Sequence, residues 1–231
     1  MFKYEMHLHT DSCSACAIST ARDMVDAAKK CGYSGFALTN HFYNGNTAVE
    51  RSLDWSEFIA AYNADYLDAK SYGAENGITV FFGIEEVYES GKEMLIYGIS
   101  PQTLLSCPDF KNMTKYEKSA FVRKSGGFVV CAHPFRNRFY IPDPDREPDS
   151  SLFDAVEGYN YFNRQEENEK AVAFAKKCNL PIISGGDVHC CTDFGNSGIV
   201  TQKPITDEKD LLAVIRSRDY KITVNGEVRD I

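Results

Sequence analysis

"FKYEMHLH", residues 2–9, is the first strand-like run of the chain, and it predicts how the fold begins. Side chains two positions apart on an extended strand point to the same face, so His7 and His9 project together. The apolar residues of the run take the opposite face, as expected for a strand buried against helices. Taken alone, the stretch is also explained by a strand end with two partly exposed histidines. The rest of the chain must separate these interpretations.

The composition predicts one globular domain that covers residues 1–231. The chain has 231 residues, 43% of them hydrophobic, and undivided α/β barrels reach this size. The net charge is −8, so the surface offers no general electrostatic attraction for nucleic acid or an anionic membrane. Nucleic acid is therefore a disfavoured partner, although bound divalent cations would cancel part of this charge.

Cysteine usage and the absence of apolar segments predict a cytoplasmic protein. No run approaches the length of a membrane span, and early charges at Lys3 and Glu5 are unlike a signal peptide. Eight cysteines without a secretion signal indicate reduced thiols. Cys13 and Cys16 form a C-x-x-C pair, which leaves a thioredoxin-like redox role or a metal–thiol site open.

Strand-like and helix-like patterns alternate along the chain. The strand-like runs lie at 2–9, 33–40, 78–85, 93–99, 127–133, 154–160, 180–187, 198–202 and 220–224. The helical patterns lie at 20–31, 54–75, 112–125, 164–178 and 207–218. This alternation predicts a parallel sheet covered by helices, either open or closed into a barrel. The irregular stretch 134–150 is too long for an ordinary connection and is typical of a lid or substrate loop.

The histidines are not scattered. All five fall at or just beyond the carboxyl ends of strand-like runs, and Glu85 does the same: the histidines are His7, His9, His41, His133 and His189. In a parallel α/β fold these strand ends share one face, where active sites are built. Imidazoles and carboxylates that converge on one pocket are the ligand set of a hydrolytic metal site.

Five short motifs resemble, in order and spacing, those of the PHP superfamily, whose name stands for polymerase and histidinol phosphatase. They are "HLHT" (7–10), "ALTNH" (37–41), "GIE" (83–85), "AHP" (132–134) and "GGDVH" (185–189). The resemblance extends from residue 7 to about residue 218. It implies an α/β fold, a distorted seven-stranded (β/α) barrel of TIM type, with two to three divalent metal ions and phosphoesterase activity. Zn, Mn and Fe all suit such ligands.

The resemblance also implies the metal ligands. It assigns His7, His9, Glu85 and Asp187 to a first ion, Glu85 and His133 to a second, and His41 and His189 to a third. Glu93 aligns with an acidic second-ion ligand of some relatives. Ser14, Ala15 and Cys16 stand where relatives carry another ligand, and Asn40 replaces their aspartate. Cys16 would restore the third site if its loop bends toward it.

The function predicted from these residues is hydrolysis of a small phosphate monoester or nucleotide by a metal-bound hydroxide. Glu85 and Asp187 would organise the cations, and Arg136, two residues past Pro134, would bind the phosphate. Two alternatives stay open. One is a metal hydrolase of the amidohydrolase type that acts on a non-phosphate substrate. The other is a metal- or thiol-binding protein without turnover, built on Cys13 and Cys16.

Overall fold

In the computed structural model, which describes residues 1–231, ten strands alternate with six α-helices. The strands are β1 (Phe2–Glu5), β2 (Gly35–Leu38), β3 (Thr79–Glu89), β4 (Lys92–Tyr97), β5 (Phe128–Cys131), β6 (Ala155–Asn160), β7 (Ile182–Gly185), β8 (Ile199–Thr201), β9 (Lys221–Val224) and β10 (Glu227–Arg229). The helices are α1 (Ala21–Lys30), α2 (Trp55–Asn76), α3 (Pro101–Leu105), α4 (Lys115–Lys124), α5 (Gln165–Lys177) and α6 (Glu208–Ser217). The five predicted helices are confirmed, and the short α3 was not predicted.

The strands form one curled, mixed sheet in the order β10-β9-β8-β1-β2-β3-β4-β5-β6-β7. The prediction of a distorted seven-stranded (β/α) barrel of TIM type is therefore wrong. The first reason is the pairing of β4, which runs antiparallel to both β3 and β5. Only Ser90 and Gly91 connect β3 to β4, and two residues make a hairpin but cannot make a parallel crossover. Gly91 takes the left-handed conformation that this turn requires.

The second reason lies at the other end of the sheet. β8 pairs antiparallel with β1, β9 pairs with β8, and β10 pairs with β9. These three strands extend the sheet beyond β1 instead of continuing a βα repeat. The remaining neighbours, β1–β2, β2–β3, β5–β6 and β6–β7, are parallel as predicted.

Backbone pairing continues past several strand ends and aligns the segments that carry the histidines. Leu8 pairs in parallel with Val188, so the segment after β1 lies beside the segment after β7. His41 pairs in parallel with Glu85, so the segment after β2 lies along β3. The curl of the sheet therefore brings these strand ends to one edge of the molecule.

The helices pack on the sheet around a single cluster of 58 buried hydrophobic residues. Capping boxes fix the first turns of three helices, at Thr20, Asp54 and Thr114, and satisfy amide groups that would otherwise lack partners. The assignment of residues 1–231 to one catalytic domain stays a prediction. None of the helices combines the length and apolar character needed to cross a membrane.

Candidate metal centre

All eight predicted metal ligands meet at one end of the sheet, after the strands β1, β2, β5 and β7, within β3 and near the start of β4. His7 and His9 follow β1, and His41 follows β2. Glu85 lies in β3, Glu93 is the second residue of the antiparallel β4, and His133 follows β5; Asp187 and His189 follow β7. Glu93 reaches the same edge because the start of an antiparallel strand lies beside the ends of its neighbours.

The buried carboxylate of Glu85 is the centre of the cluster. Its Oε1 lies 3.1 Å from His7 Nε2 and 3.0 Å from His133 Nε2. Its Oε2 lies 3.3 Å from His9 Nε2 and 3.0 Å from His41 Nδ1. One carboxylate therefore contacts four of the five histidines.

Two further carboxylates contact the histidines. Asp187 Oδ1 lies 3.2 Å from His9 Nε2 and 3.4 Å from His7 Nε2. Glu93 contacts the other side, with Oε1 3.3 Å from His41 Nδ1 and Oε2 3.6 Å from the imidazole of His133. The donors thus divide into overlapping groups of the kind that neighbouring metal ions share.

Hydrogen bonds outside the cluster orient the imidazoles. His7 donates from Nδ1 to Glu157 Oε1 at 2.9 Å, which in the neutral imidazole leaves the lone pair on Nε2. His9 donates from Nδ1 to Ser14 Oγ at 2.9 Å, because that hydroxyl gives its own hydrogen to Asn40 Oδ1. Carboxylates or hydroxyls that hold the far nitrogen of an imidazole are the usual support of a metal-binding histidine.

Several buried ligand atoms of the cluster have no hydrogen-bond partner, although a buried polar atom normally has one. They are His7 Nε2, His9 Nε2, His41 Nδ1 and Glu85 Oε2. Nitrogen and oxygen atoms that converge at contact distance without hydrogen-bond partners form an arrangement that a bound cation would satisfy. The residues present therefore fit divalent metal ions.

The charge of the cluster favours the same conclusion. Burial lowers the pKa of His7, but Glu85, Asp187 and Glu157 outweigh burial and raise that pKa well above its ordinary value. Burial and the neighbouring His41 lower the pKa of His9 to about 3, so the imidazole of His9 is neutral. The carboxylates thus attract positive charge to a point where the neutral imidazole of His9 also lies.

Glu157, in the middle of β6, belongs to this cluster and was not predicted. It is fully buried, and it accepts hydrogen bonds from His7, from the amide of His133 and from Asn160. Gly185 on the adjacent β7 makes room, since a Cβ at that position would collide with Glu157 and His7. A lone carboxylate inside an otherwise buried strand was the signal in the sequence.

We expect Glu157→Gln to weaken divalent metal binding by about 10- to 100-fold, because the side chain would keep its size but lose its negative charge. Competition with a fluorescent chelator measures this affinity. Glu166→Gln, an exposed carboxylate in the first turn of α5, is the control and should bind metal as the wild type does. An unchanged affinity in Glu157→Gln would show that its hydrogen bonds are structural only.

The two cysteines of the C-x-x-C pair diverge. Cys13 is buried and its thiol donates to the carbonyl of Tyr62, whereas Cys16 lies at the cluster with Sγ 3.0 Å from His189 Nε2. Burial would raise the pKa of the Cys16 thiol, but hydrogen bonds with His189 and His41 outweigh it and lower the pKa to about 6. Both cysteines are free, so the structure does not pair them as a redox disulfide.

Arg136 lies beside the cluster with two of its three nitrogens engaged. Nη2 contacts Asp187 Oδ2 at 2.5 Å and donates to Asn160, and Nε donates to Asn163 at 2.9 Å. Nη1 has no hydrogen-bond partner within the chain and the residue lines the cavity described next. Arg136 can therefore offer an anion one nitrogen rather than the two-nitrogen fork.

A cavity of about 580 Å³ opens over the cluster. Besides His41, Glu85, Glu93, Asp187 and His189, it is lined by Cys16, Asn44, Arg136 and Tyr140, among others. Arg136 and Tyr140 come from the irregular stretch 134–150. The buried Lys92 fixes this stretch by donating to the carbonyls of Pro134 and Arg146. A role of the stretch as a lid stays a prediction.

A cluster of five imidazoles and four carboxylates, part of which lines a cavity of about 580 Å³, is typical of metal-dependent hydrolases. The comparisons with known proteins agree with this class. The family model described as the PHP domain matches residues 5–130, and the model described as PHP-associated matches residues 165–220. The chain therefore belongs to the PHP family.

Solved structures share the fold at low sequence identity. A two-domain protein from Bacteroides vulgatus that contains a predicted PHP-like metal-dependent phosphoesterase is 13% identical, with a TM-score of 0.72 over 98% of this chain and 66% of that one. An amidohydrolase from Chromobacterium violaceum is 16% identical, with a TM-score of 0.56 over 81% of this chain and 87% of that one. The lesion-specific endonuclease Q of Pyrococcus furiosus is 11% identical, with a TM-score of 0.61 over 94% and 56%.

The chain thus spans slightly less than two thirds of the Bacteroides protein and about half of the endonuclease. At these identities the likeness shows the fold alone. No curated protein sequence matches the chain.

Proposed function

We propose that the protein is a metal-dependent phosphoesterase that hydrolyses a small phosphate monoester or a nucleotide. The observation that carries the proposal is a set of buried histidine and glutamate atoms without hydrogen-bond partners. Two of the residues that carry them, His41 and Glu85, line the cavity together with Arg136, which has a free nitrogen. The cavity volume of about 580 Å³ is typical of sites for small molecules.

The ligands divide into groups that would hold two to three ions. His7, His9, Glu85 and Asp187 would hold the first, and Glu85, Glu93 and His133 the second. His41 and His189 would belong to a third. Mixed imidazole and carboxylate donors suit Zn, Mn or Fe. When bound, such cations activate water and neutralise charge on a phosphate ester.

The chain's own residues would prepare the substrate. Arg136 would bind a phosphate oxygen through Nη1, while its Nη2 keeps Asp187 in place. Glu85 and Asp187 are buried and carry the negative charge that keeps cations at the floor of the cavity. Because the second nitrogen of Arg136 is committed to Asp187, loss of this side chain would affect both binding and turnover.

We expect Arg136→Ala to lower kcat/KM for phosphate esters by about 10- to 100-fold, the equivalent of one charged hydrogen bond. Both kcat and KM should change, since the variant loses the phosphate contact and frees Asp187. Steady-state kinetics with an aryl phosphate on the metal-loaded protein measure the effect.

The matched control is Arg138→Ala, on the same stretch. Arg138 donates to the carbonyls of Asn137 and Phe162 and does not line the cavity, so its kinetics should match the wild type. Equal losses of kcat/KM in the two variants would show that Arg136 supports the structure of the loop and does not bind the substrate.

The substrate class is tested with a panel on metal-reconstituted protein: phosphate monoesters, nucleotides, a DNA duplex with an abasic lesion, and amides. We expect turnover of monoesters or nucleotides. The net charge of −8 argues against a DNA duplex, the kind of substrate bound by the structural neighbour endonuclease Q. Cleavage of amides alone, or of DNA alone, would overturn the proposal, and binding of metal without any turnover would indicate a binding protein.

A cytoplasmic location is part of the proposal. All eight cysteines are free, and a thiol such as that of Cys16, exposed beside two histidines, stays reduced in that compartment.

A further inference from the structure

Cys16 is held at the cluster by backbone hydrogen bonds on both sides. The amide of Ala15 donates to the carbonyl of Asn46, five residues after His41, at 2.9 Å. The amide of Ile18 donates to the carbonyl of His189 at 3.0 Å. The loop that carries Cys16 is thus tied to the two segments that carry His41 and His189, and the thiol position follows from the fold.

The thiol of Cys16 lies against the imidazole of His189. His189 donates from Nδ1 to the carbonyl of Asp187 at 2.6 Å, so the lone pair of the neutral imidazole is on Nε2, and Cys16 Sγ lies 3.0 Å from that Nε2. One nitrogen each from His9, His41 and His189 lies within 4.8 Å of the others. His9 Nε2 and His41 Nδ1 are buried without a hydrogen-bond partner. The Cys16 sulfur therefore lies beside a group of three imidazoles, two of which have a buried nitrogen without a hydrogen-bond partner.

We propose that Cys16 is a thiolate ligand of a metal ion that His41 and His189 also bind, an inference that rests on the proposed metal centre. As the sulfur–metal bond forms, the S–H bond breaks and its proton passes to solvent. This side of the cluster then offers sulfur and nitrogen, whereas the side around Glu85, Glu93 and Asp187 offers mainly carboxylate oxygen. Thiolate and imidazole ligands select zinc over harder cations, so the two sides would prefer different metals.

The test uses Co²⁺ as the probe on the full chain stripped of metal. A thiolate ligand gives a sulfur-to-cobalt charge-transfer absorption in the near ultraviolet, and addition of Zn²⁺ should abolish it. We expect the wild type to show this band and Cys16→Ser to lack it. Cys190→Ser is the control, because the Cys190 thiol accepts a hydrogen bond from Thr192 and makes none with the imidazoles; it should keep the band.

A second measurement uses the wild type alone, so it does not depend on whether the Cys16→Ser variant folds. Alkylation by iodoacetamide, followed at the Cys16 peptide by mass spectrometry, should be lost in the presence of Zn²⁺ and unchanged at Cys190. No charge-transfer band in the wild type, a band retained in Cys16→Ser, or alkylation of Cys16 that ignores Zn²⁺ would each overturn the inference. None of these readouts uses turnover, so failure of the phosphoesterase proposal would be seen separately, in the substrate panel.

Discussion

A Glu85→Gln variant is expected to lose both metal affinity and hydrolysis by more than about 100-fold, the upper effect known for residues that only support metal ligands. Glu85 contacts His7, His9, His41 and His133 at 3.0–3.3 Å. Glutamine keeps the shape but removes the charge and replaces one acceptor oxygen with an N–H donor. No other residue of the cluster touches four imidazoles.

Metal per chain, measured by elemental analysis after dialysis, and turnover of an aryl phosphate provide the two readouts. Glu89→Gln, four residues along the same strand, is the matched control: Glu89 pairs with Lys115 and Arg146 at the surface and should leave both readouts unchanged. Wild-type metal content together with wild-type turnover in Glu85→Gln would remove Glu85 from the centre of the site.

The convergence of the histidines could be predicted from sequence because it depends on local patterns. A strand is recognised from its apolar run, and the residues after parallel strands share one edge. His7, His41 and His133 each satisfy this rule, and the structure brings them together with Glu85. The prediction required only that the ends of these strands lie together at one end of the sheet. The observed sheet meets this condition.

The order and direction of the strands in the sheet could not be predicted in the same way. The barrel followed from family resemblance, whereas the pairing of Phe2 with Thr201 joins residues far apart in sequence and depends on tertiary contacts. The β3–β4 hairpin was missed because β3 runs on to Glu89, past the point where the apolar run ends at Glu85. A longer β3 leaves only a two-residue turn, and the turn reverses the next strand.

The contacts between side chains inside the site also could not be predicted from the sequence. Glu157 accepts a hydrogen bond from His7 but lies in the interior of β6, so a search for polar residues at strand ends does not detect it. His133 and Asp187 have φ values of 28° and 52°, in the left-handed region that non-glycine residues rarely adopt. Such conformations concentrate at functional sites and depend on the surrounding structure, which sequence patterns do not describe.

A buried ion pair on the other face of β3 gives the second large effect. Glu86 and Lys118 are both buried, and the ammonium of Lys118 contacts Glu86 Oε1 directly. The same carboxylate accepts from the side chain of Asn44 at 2.7 Å, and Asn44 lines the cavity. The pair therefore joins α4 to the segment that follows His41.

We expect Lys118→Met to lower the free energy of unfolding by about 3–5 kcal/mol, because the buried Glu86 would lose its cationic partner. Urea denaturation of the metal-free protein, followed by tryptophan fluorescence, measures the change. Metal must be absent from both samples because a ligand bound only to the native state adds its own stabilisation.

Two further variants separate the buried charge from the loss of a lysine side chain. Lys177→Met breaks an exposed pair with Glu147, and surface pairs of this kind contribute about 1 kcal/mol or less. Adding Glu86→Gln to Lys118→Met should recover part of the loss, since the double variant leaves no unpaired charge in the interior. If Lys118→Met costs no more than Lys177→Met, solvent reaches Glu86. The pair would then have no special part in holding Asn44 at the cavity.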